Sequence, residues 1–226
     1  MSKAVTAAPW SYSKLKSFET CPKQFYHVKV VAEYPESTNE AMFYGNRLHK
    51  ASELYVRDRE ELGKDFEFLK PTLDSLMAKG DSRLCEYKMG LTVDLEACGF
   101  FSPDVWWRGI IDLLILDADN GVARVVDYKS GKDKYADVAQ LELMAMAVFK
   151  HFPAVKTVKG ALLFVVAGSI VSETYKVSDE AVLWDKWNGK FSQMNTAFDN
   201  DVWNPNPSGL CYNHCPVLEC PHNGRN

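Results

Sequence analysis

Two aspartates and a lysine sit in stretches that are largely apolar. Asp112 interrupts the run from Val105 to Leu116, and Asp127 and Lys129 close the run from Val122 to Lys129, with Asn120-Gly121 between the two runs. Asn-Gly flanked by apolar segments is the strongest short-range hairpin signal. With Asn120 and Gly121 as a two-residue loop, paired positions sum to 241, so Asp112 faces Lys129. Directly opposed residues share a sheet face, as do residues two apart on one strand. Asp112, Asp127 and Lys129 are therefore expected on one patch.

Ionised groups among apolar strand residues need partners or a metal. Two neighbouring carboxylates repel, and Mg²⁺ accepts one or two carboxylates together with water and phosphate oxygens. Such an ion lowers the pKa of bound water and neutralises charge on a phosphodiester, while Lys129 could stabilise the same developing charge. A plain cross-strand ion pair between Asp112 and Lys129, with Asp127 at a solvated strand end, accounts for the three residues equally well. The triplet alone leaves both readings open.

The elements that must position these residues can be read from spacing. The N-terminal third is mostly helical. Ser11 and Ser13 offer capping hydroxyls ahead of Leu15 and Phe18, and Asn39 caps a helix from about Glu40 through Val56 with Leu48, Ala51 and Tyr55 on one stripe. A third helix is expected around Pro71 to Leu84. After the hairpin come a helix from about Asp137 to Lys150, strands at Lys159 to Ala167 and Ile170 to Lys176, and a helix from about Asp179 to Phe198. The tail from Asn204 reads as loop.

That tail carries Cys211, Cys215 and Cys220, three of six cysteines, with Cys21 far away near the other end. No secretory segment or apolar run long enough to span a bilayer is visible, so a cytoplasmic protein with reduced thiols is expected. Clustered thiols there point to a metal rather than to cystine. Three Cys with His214 or His222 would suit tetrahedral zinc, and four thiolates would suit an iron–sulfur cluster. Cys85 and Cys98 read as small buried hydrophobes. The 226 residues, 46% hydrophobic and 25% charged, are ordinary globular values that exclude a fibrous or low-complexity chain. A net charge of -4 argues against non-specific coating of nucleic acid, so a polyanion would need a local groove.

Gly109-Ile110-Ile111-Asp112 followed by Asp127-Tyr128-Lys129-Ser130-Gly131 resembles the core of the RecB-like branch of the PD-(D/E)XK nucleases. Ser13-Lys14-Leu15 with Phe18, Cys21-Pro22 and Phe25-Tyr26 is similar to that branch's N-terminal motif. Gly45-Asn46-Arg47-Leu48-His49 resembles its Gly-x-x-x-His motif, and Gln140 the start of its Gln-x-x-x-Tyr motif. The ordered set spans Trp10 to Cys220. The resemblance implies that His49, Asp112, Asp127 and the Tyr128 main-chain carbonyl bind Mg²⁺ or Mn²⁺. It further implies that Lys129 is the catalytic lysine, that Gln140 holds substrate near the scissile phosphate, and that Glu86 corresponds to a supporting acidic residue. Met144 stands where the motif has Tyr and cannot donate a hydrogen bond.

The iron–sulfur members of the branch, the CRISPR-associated and phage RecB-like exonucleases among them, place one Cys before the nuclease core and three after it. Cys21, Cys211, Cys215 and Cys220 match that order, which implies a [4Fe-4S] cluster, with structural Zn²⁺ as the alternative. The fold class expected is α/β: a restriction-endonuclease-like core, a mixed central sheet flanked by helices, and N-terminal helices joined to the C-terminal Cys loop by a metal cluster. One nuclease domain over 1–226 is expected, with a mainly helical part at 1–84, the core at 85–178, and the last helix and Cys-rich tail at 179–226. The function implied is a metal-dependent DNA exonuclease acting on single strands or DNA ends by a metal-activated water. The alternative is an inactive nuclease-fold module for DNA binding or assembly. A recombination or CRISPR-adaptation partner protein is compatible with either. Lys14, Lys16, Lys23, Lys29, Lys132 and Lys134 are candidate phosphate contacts. Trp10, Tyr12, Trp106 and Trp107 read as core rather than as stacking platforms.

Overall fold

A computed structural model describes residues 9–35 and 39–225. The chain divides into two compact units, one of residues 1–38 with 184–226 and the other of residues 39–183. In the first unit, Ser11 caps α1 (Tyr12–Thr20) by accepting from the Lys14 N–H at 3.3 Å. Cys21 then adopts extended backbone before α2 (Pro22–Phe25), where Pro at the first turn forfeits an N–H that would be unpaired anyway. Phe18, Phe25, Phe198 and Trp203 meet largely edge to face.

The second unit begins with α3 (Glu40–Asp58), capped as expected by Asn39, whose side chain accepts from the Met42 N–H at 2.9 Å. Next is α4 (Lys70–Met77), shorter than the helix expected to reach Leu84. The cause is Gly80 at φ +71, where a Cβ would lie 2.4 Å from the Leu116 carbonyl. The chain turns there, Asp81 donates to Leu116 O at 2.8 Å, and β1 (Ser82–Leu91) runs on from it.

The remaining strands are β2 (Ala97–Cys98), β3 (Trp107–Asp117), β4 (Val122–Lys129), β5 (Thr157–Phe164) and β6 (Ser169–Lys176). They form a six-stranded mixed sheet in the order β2-β1-β3-β4-β5-β6, antiparallel except where β4 and β5 pair in parallel across α5 (Ala139–His151). β5 stops at Phe164, three residues short of the expected end, because Gly168 at φ +69 donates back to Phe164 O and turns the chain into β6.

Helices cover both faces. Leu163 packs in one cluster with Leu48, Tyr55, Phe66, Leu69 and Leu73 of the α3–α4 side. Gly160, an odd number of residues away on β5, lies against Leu141 of α5. The last long helix, α6 (Glu180–Asn200), buries Trp184, Trp187, Phe191, Met194 and Ala197 at helical spacing, and α7 (Leu210–Asn213) lies in the tail. No described helix is long and apolar enough to cross a membrane.

The β3–β4 hairpin corrects one register expectation. Observed pairs sum to 239, as in Leu113↔Val126 and Asp117↔Val122, so the loop is Ala118–Gly121. A two-residue Asn-Gly loop needs left-handed backbone at both positions, and Gly121 takes it while Asn120 does not. Instead the Asn120 amide donates to Asp117 Oδ1 at 2.7 Å and widens the turn. The shift is by two positions, so each residue keeps its face.

Candidate active site

Four elements converge on the end of the β3–β4 ladder. β1 and β3 pair in one continuous register from Ser82↔Leu116 to Leu91↔Trp107, except for an omitted rung where Glu86 and Asp112 would pair. Glu86 holds φ +49, the left-handed region that costs a non-glycine residue about 1 kcal/mol or more. Asp112 Oδ2 accepts from the Tyr128 N–H at 2.8 Å. From α3, His49 brings Nδ1 to 3.3 Å from Asp112 Oδ2 and Nε2 to 2.9 Å from the Tyr128 carbonyl oxygen. Gly45, one turn earlier, faces Ser130 across a gap that a Cβ would fill with ordinary contact at 3.4 Å.

His49, Glu86 and Asp112 each offer a donor atom within 4.8 Å of the others. Beside them Asp127, 3% exposed, is paired differently. Lys129 Nζ lies 2.6 Å from Asp127 Oδ2, Gln140 Nε2 donates to Asp127 Oδ1 at 2.8 Å, and Lys129 Nζ donates to Gln140 Oε1 at 3.1 Å. Gln140 opens α5, so the helix behind the sheet closes this triangle. Of the residues expected as ligands, His49, Asp112 and the Tyr128 carbonyl come together, joined by Glu86. Asp127 stands next to them on the lysine.

The titrating groups carry the mark of crowded negative charge. Burial, and then the Asp112 carboxylate, push Asp127 up to about 6 against the pull of Lys129. Burial followed by Asp112 also raises Glu86. For His49 burial works downward, but its bond to Asp112 and the two aspartate charges outweigh it and raise the imidazole. Burial is the largest cause in all three, and the Asp112 carboxylate adds to the rise in each.

The donor set fits a hard divalent ion. Two carboxylates, an imidazole and a main-chain carbonyl oxygen beside them offer the oxygen-rich donors such an ion prefers. Gln140 spends both ends of its amide on Lys129 and Asp127, while Met144, at the position of the motif tyrosine, is 4% exposed in the core packing of α5.

Elsewhere, Cys21, Cys211, Cys215 and Cys220 line one small cavity within the first unit. Cys21 Sγ accepts from the Gln24 and Asn206 N–H groups at 3.5 and 3.4 Å, and Cys211 Sγ from Ser208 at 3.3 Å. No disulfide joins any of the six cysteines, and His222, unlike His214, is among the residues lining the cavity. Cys85 packs beside the α3–α4 cluster, and burial raises its thiol to about 11. Of the lysines considered for phosphate, Lys14 donates to Pro9 O at 2.8 Å and Lys16 lies 3.9 Å from Glu19, whereas Lys132 and Lys134 are exposed just beyond β4.

A mixed sheet with helices on both faces and a carboxylate–lysine site at its ladder end defines a restriction-endonuclease-like α/β protein. The family model of the PD-(D/E)XK nuclease superfamily matches residues 9–220, and the chain belongs to that superfamily. Among solved structures, a Eubacterium rectale protein named as a candidate exonuclease aligns over 94% of this chain and 88% of its own, at 12% identity and a TM-score of 0.52, a likeness of fold. The protein SSO0001 aligns over 99% of this chain and 88% of its own at 14% identity, with a TM-score of 0.43 that is too low to carry an argument. No curated protein matches the chain.

Proposed function

We propose that this nuclease-superfamily chain is a Mg²⁺- or Mn²⁺-dependent deoxyribonuclease, an exonuclease on single strands or DNA ends, working as one nuclease domain. The observation that carries the reading is the adjacency of two assemblies. The His49–Glu86–Asp112 donors with the Tyr128 carbonyl lie beside the Asp127–Lys129–Gln140 triangle.

His49, Asp112, Glu86 and Tyr128 O would hold the ion, with Asp127 turning toward it as positive charge arrives. A bound ion supplies acidified water and neutralises phosphate charge. Lys129 presents its ammonium where negative charge builds on the phosphate, and Gln140 fixes the direction of that ammonium. The buried flank of Asp127 excludes water from one side and strengthens these interactions.

For the four cysteines we propose a [4Fe-4S] cluster. Thiolates on one tetrahedral zinc at about 2.3 Å stand about 3.8 Å apart. Among the described residues no three cysteine sulfurs lie within 4.8 Å of one another, although all four face one cavity. One cavity shared by four thiols suits a centre held by four ligands, and the backbone N–H bonds to sulfur suit thiolates.

The test is Mn²⁺-dependent digestion of labelled single- and double-stranded DNA with 5′ or 3′ ends blocked. Wild-type digestion that disappears in Asp127→Asn and Lys129→Ala supports the reading. Undiminished digestion in either purified variant refutes it.

A further inference from the structure

Beyond the site, β1 and β3 carry a surface feature that the chemistry above does not use. Lys88 pairs with Ile110 and Gly90 with Arg108, so Lys88 and Arg108 project from one sheet face, opposite buried Met89, Leu91, Trp107 and Ile111. Over that face the loop after β2 sets Phe100 and Phe101, rings 5.0 Å apart and nearly perpendicular. The Arg108 guanidinium lies 5.2 and 5.7 Å from the two ring centres, and Lys88 Nζ 5.9 and 5.7 Å. The loop is tied down by hydrogen bonds from Ser102 to Gly99 O, Val105 to Ser102 O and Trp106 to Leu91 O. Phe101 is nonetheless 75% exposed.

Two facts separate this cluster from ordinary surface. A phenylalanine fixed in a bonded loop and left in water is unfavourable unless something covers it. Neither Lys88 nor Arg108 has a carboxylate partner among the described residues, and Arg108 Nε is buried without an acceptor, in a chain whose net charge is -4. A ligand with a flat apolar face and an anionic group would match both features of this cluster. The place matters as well. Lys88 is two residues from Glu86 along β1, roughly 7 Å, and Arg108 four residues from Asp112 along β3, roughly 13 Å.

We propose that Phe100, Phe101, Lys88 and Arg108 form a platform for an unpaired nucleotide of the substrate, with a base stacked on Phe101 and a flanking phosphate on the two cations. The proposal rests on the nuclease reading and gives it a substrate form. A paired base keeps its faces inside the duplex stack, whereas a single strand presents them to an aromatic ring. The platform thus selects single-stranded nucleic acid next to the carboxylates.

The test is fluorescence anisotropy of the full chain, with a chelator present, on labelled oligo-thymidylate and on an abasic strand of equal length. Wild type should bind the thymidylate more tightly. Phe101→Ala should lose about tenfold on the thymidylate and little on the abasic strand, with Phe101→Trp restoring it. Lys88→Gln with Arg108→Gln should weaken both strands and reduce the salt slope by about 1.4. Unchanged preference for bases in Phe101→Ala, alongside intact wild-type digestion, overturns the platform and leaves the nuclease standing. Loss of base preference in a chain that digests nothing keeps the platform and removes the nuclease. A wild type that binds neither strand yet digests DNA overturns the platform and leaves the nuclease standing.

Discussion

Glu86 and Asp112 stand opposite each other across β1 and β3 at a rung the ladder omits, and Glu86 holds left-handed backbone to do so. At the same position Asp112 Oδ2 accepts from the Tyr128 N–H and lies 3.3 Å from His49 Nδ1, so the break in pairing coincides with the cluster of donor atoms. Glu86→Gly should then relieve strain and raise stability by about 1 kcal/mol while abolishing metal-dependent cleavage. Glu86→Gln should instead need at least about tenfold more Mn²⁺ for half-maximal rate. Urea unfolding and Mn²⁺ titrations of digestion rate check the pair, and a Glu86→Gly protein that is less stable yet fully active would sink the argument.

Asp127 makes the metal-free protein sensitive to pH. Its folded pKa, about 6, lies above the ordinary value of 3.8, so the folded state binds the proton more tightly. Stability from this group is present below about pH 4 and is lost as pH rises to about 6. The rise from 3.8 to about 6 corresponds to roughly 3 kcal/mol, and a group so deeply buried is little screened. Relative to wild type, Asp127→Asn should gain up to that amount between pH 4 and pH 6.5, measured by denaturant unfolding without divalent ions. Saturating Mn²⁺ should shrink the gain, because positive charge then offsets the buried carboxylate. A flat difference across that range would contradict the assignment.

Gln140 touches Lys129 and Asp127 on one side and belongs to α5 on the other. Gln140→Leu keeps the bulk and removes both bonds, so Lys129 loses its direction but not its charge. The expected result is a kcat lower by about tenfold to a hundredfold with the Mn²⁺ dependence nearly unchanged. A change in Mn²⁺ affinity with kcat intact would show that Gln140 acts on the ligands instead.

How much of this was legible in the sequence depended on whether the signal was local. Asn39 and Ser11 act as the caps their types suggest, and the apolar runs around Asn120-Gly121 are paired strands. The turn between them is wider than Asn-Gly implies because Asn120 bonds Asp117, and the even shift keeps every residue on its face. The helix expected to reach Leu84 ends at Met77, because Gly80 meets the Leu116 carbonyl, a contact between residues far apart in sequence. Glu86 was marked only as a supporting acid for the same reason. Its position opposite Asp112 follows from β1–β3 pairing, and no tight turn between Leu91 and Trp107 announces that register. The Phe100–Phe101 platform is equally non-local, since its cations come from two strands.

The cysteine cavity allows a test that separates scaffold from chemistry. Cys21 lies between α1 and α2 and shares the cavity with Cys211, Cys215 and Cys220 from the tail, so a shared centre closes a loop over nearly the whole chain. Closing so long a loop removes unfolded-state entropy, and the first unit, with few regular hydrogen bonds in its tail, should depend on it most. Protein purified without oxygen should contain about four iron and four sulfide per chain, and stoichiometric zinc without sulfide would reverse the choice of metal. Cys21→Ser should lower the melting temperature by several degrees, with loss of helical signal, while any fraction that stays folded keeps the wild-type Mn²⁺ dependence of cleavage. If Cys21→Ser changed that dependence without changing stability, the cysteines would belong to the reaction rather than to the frame that holds it.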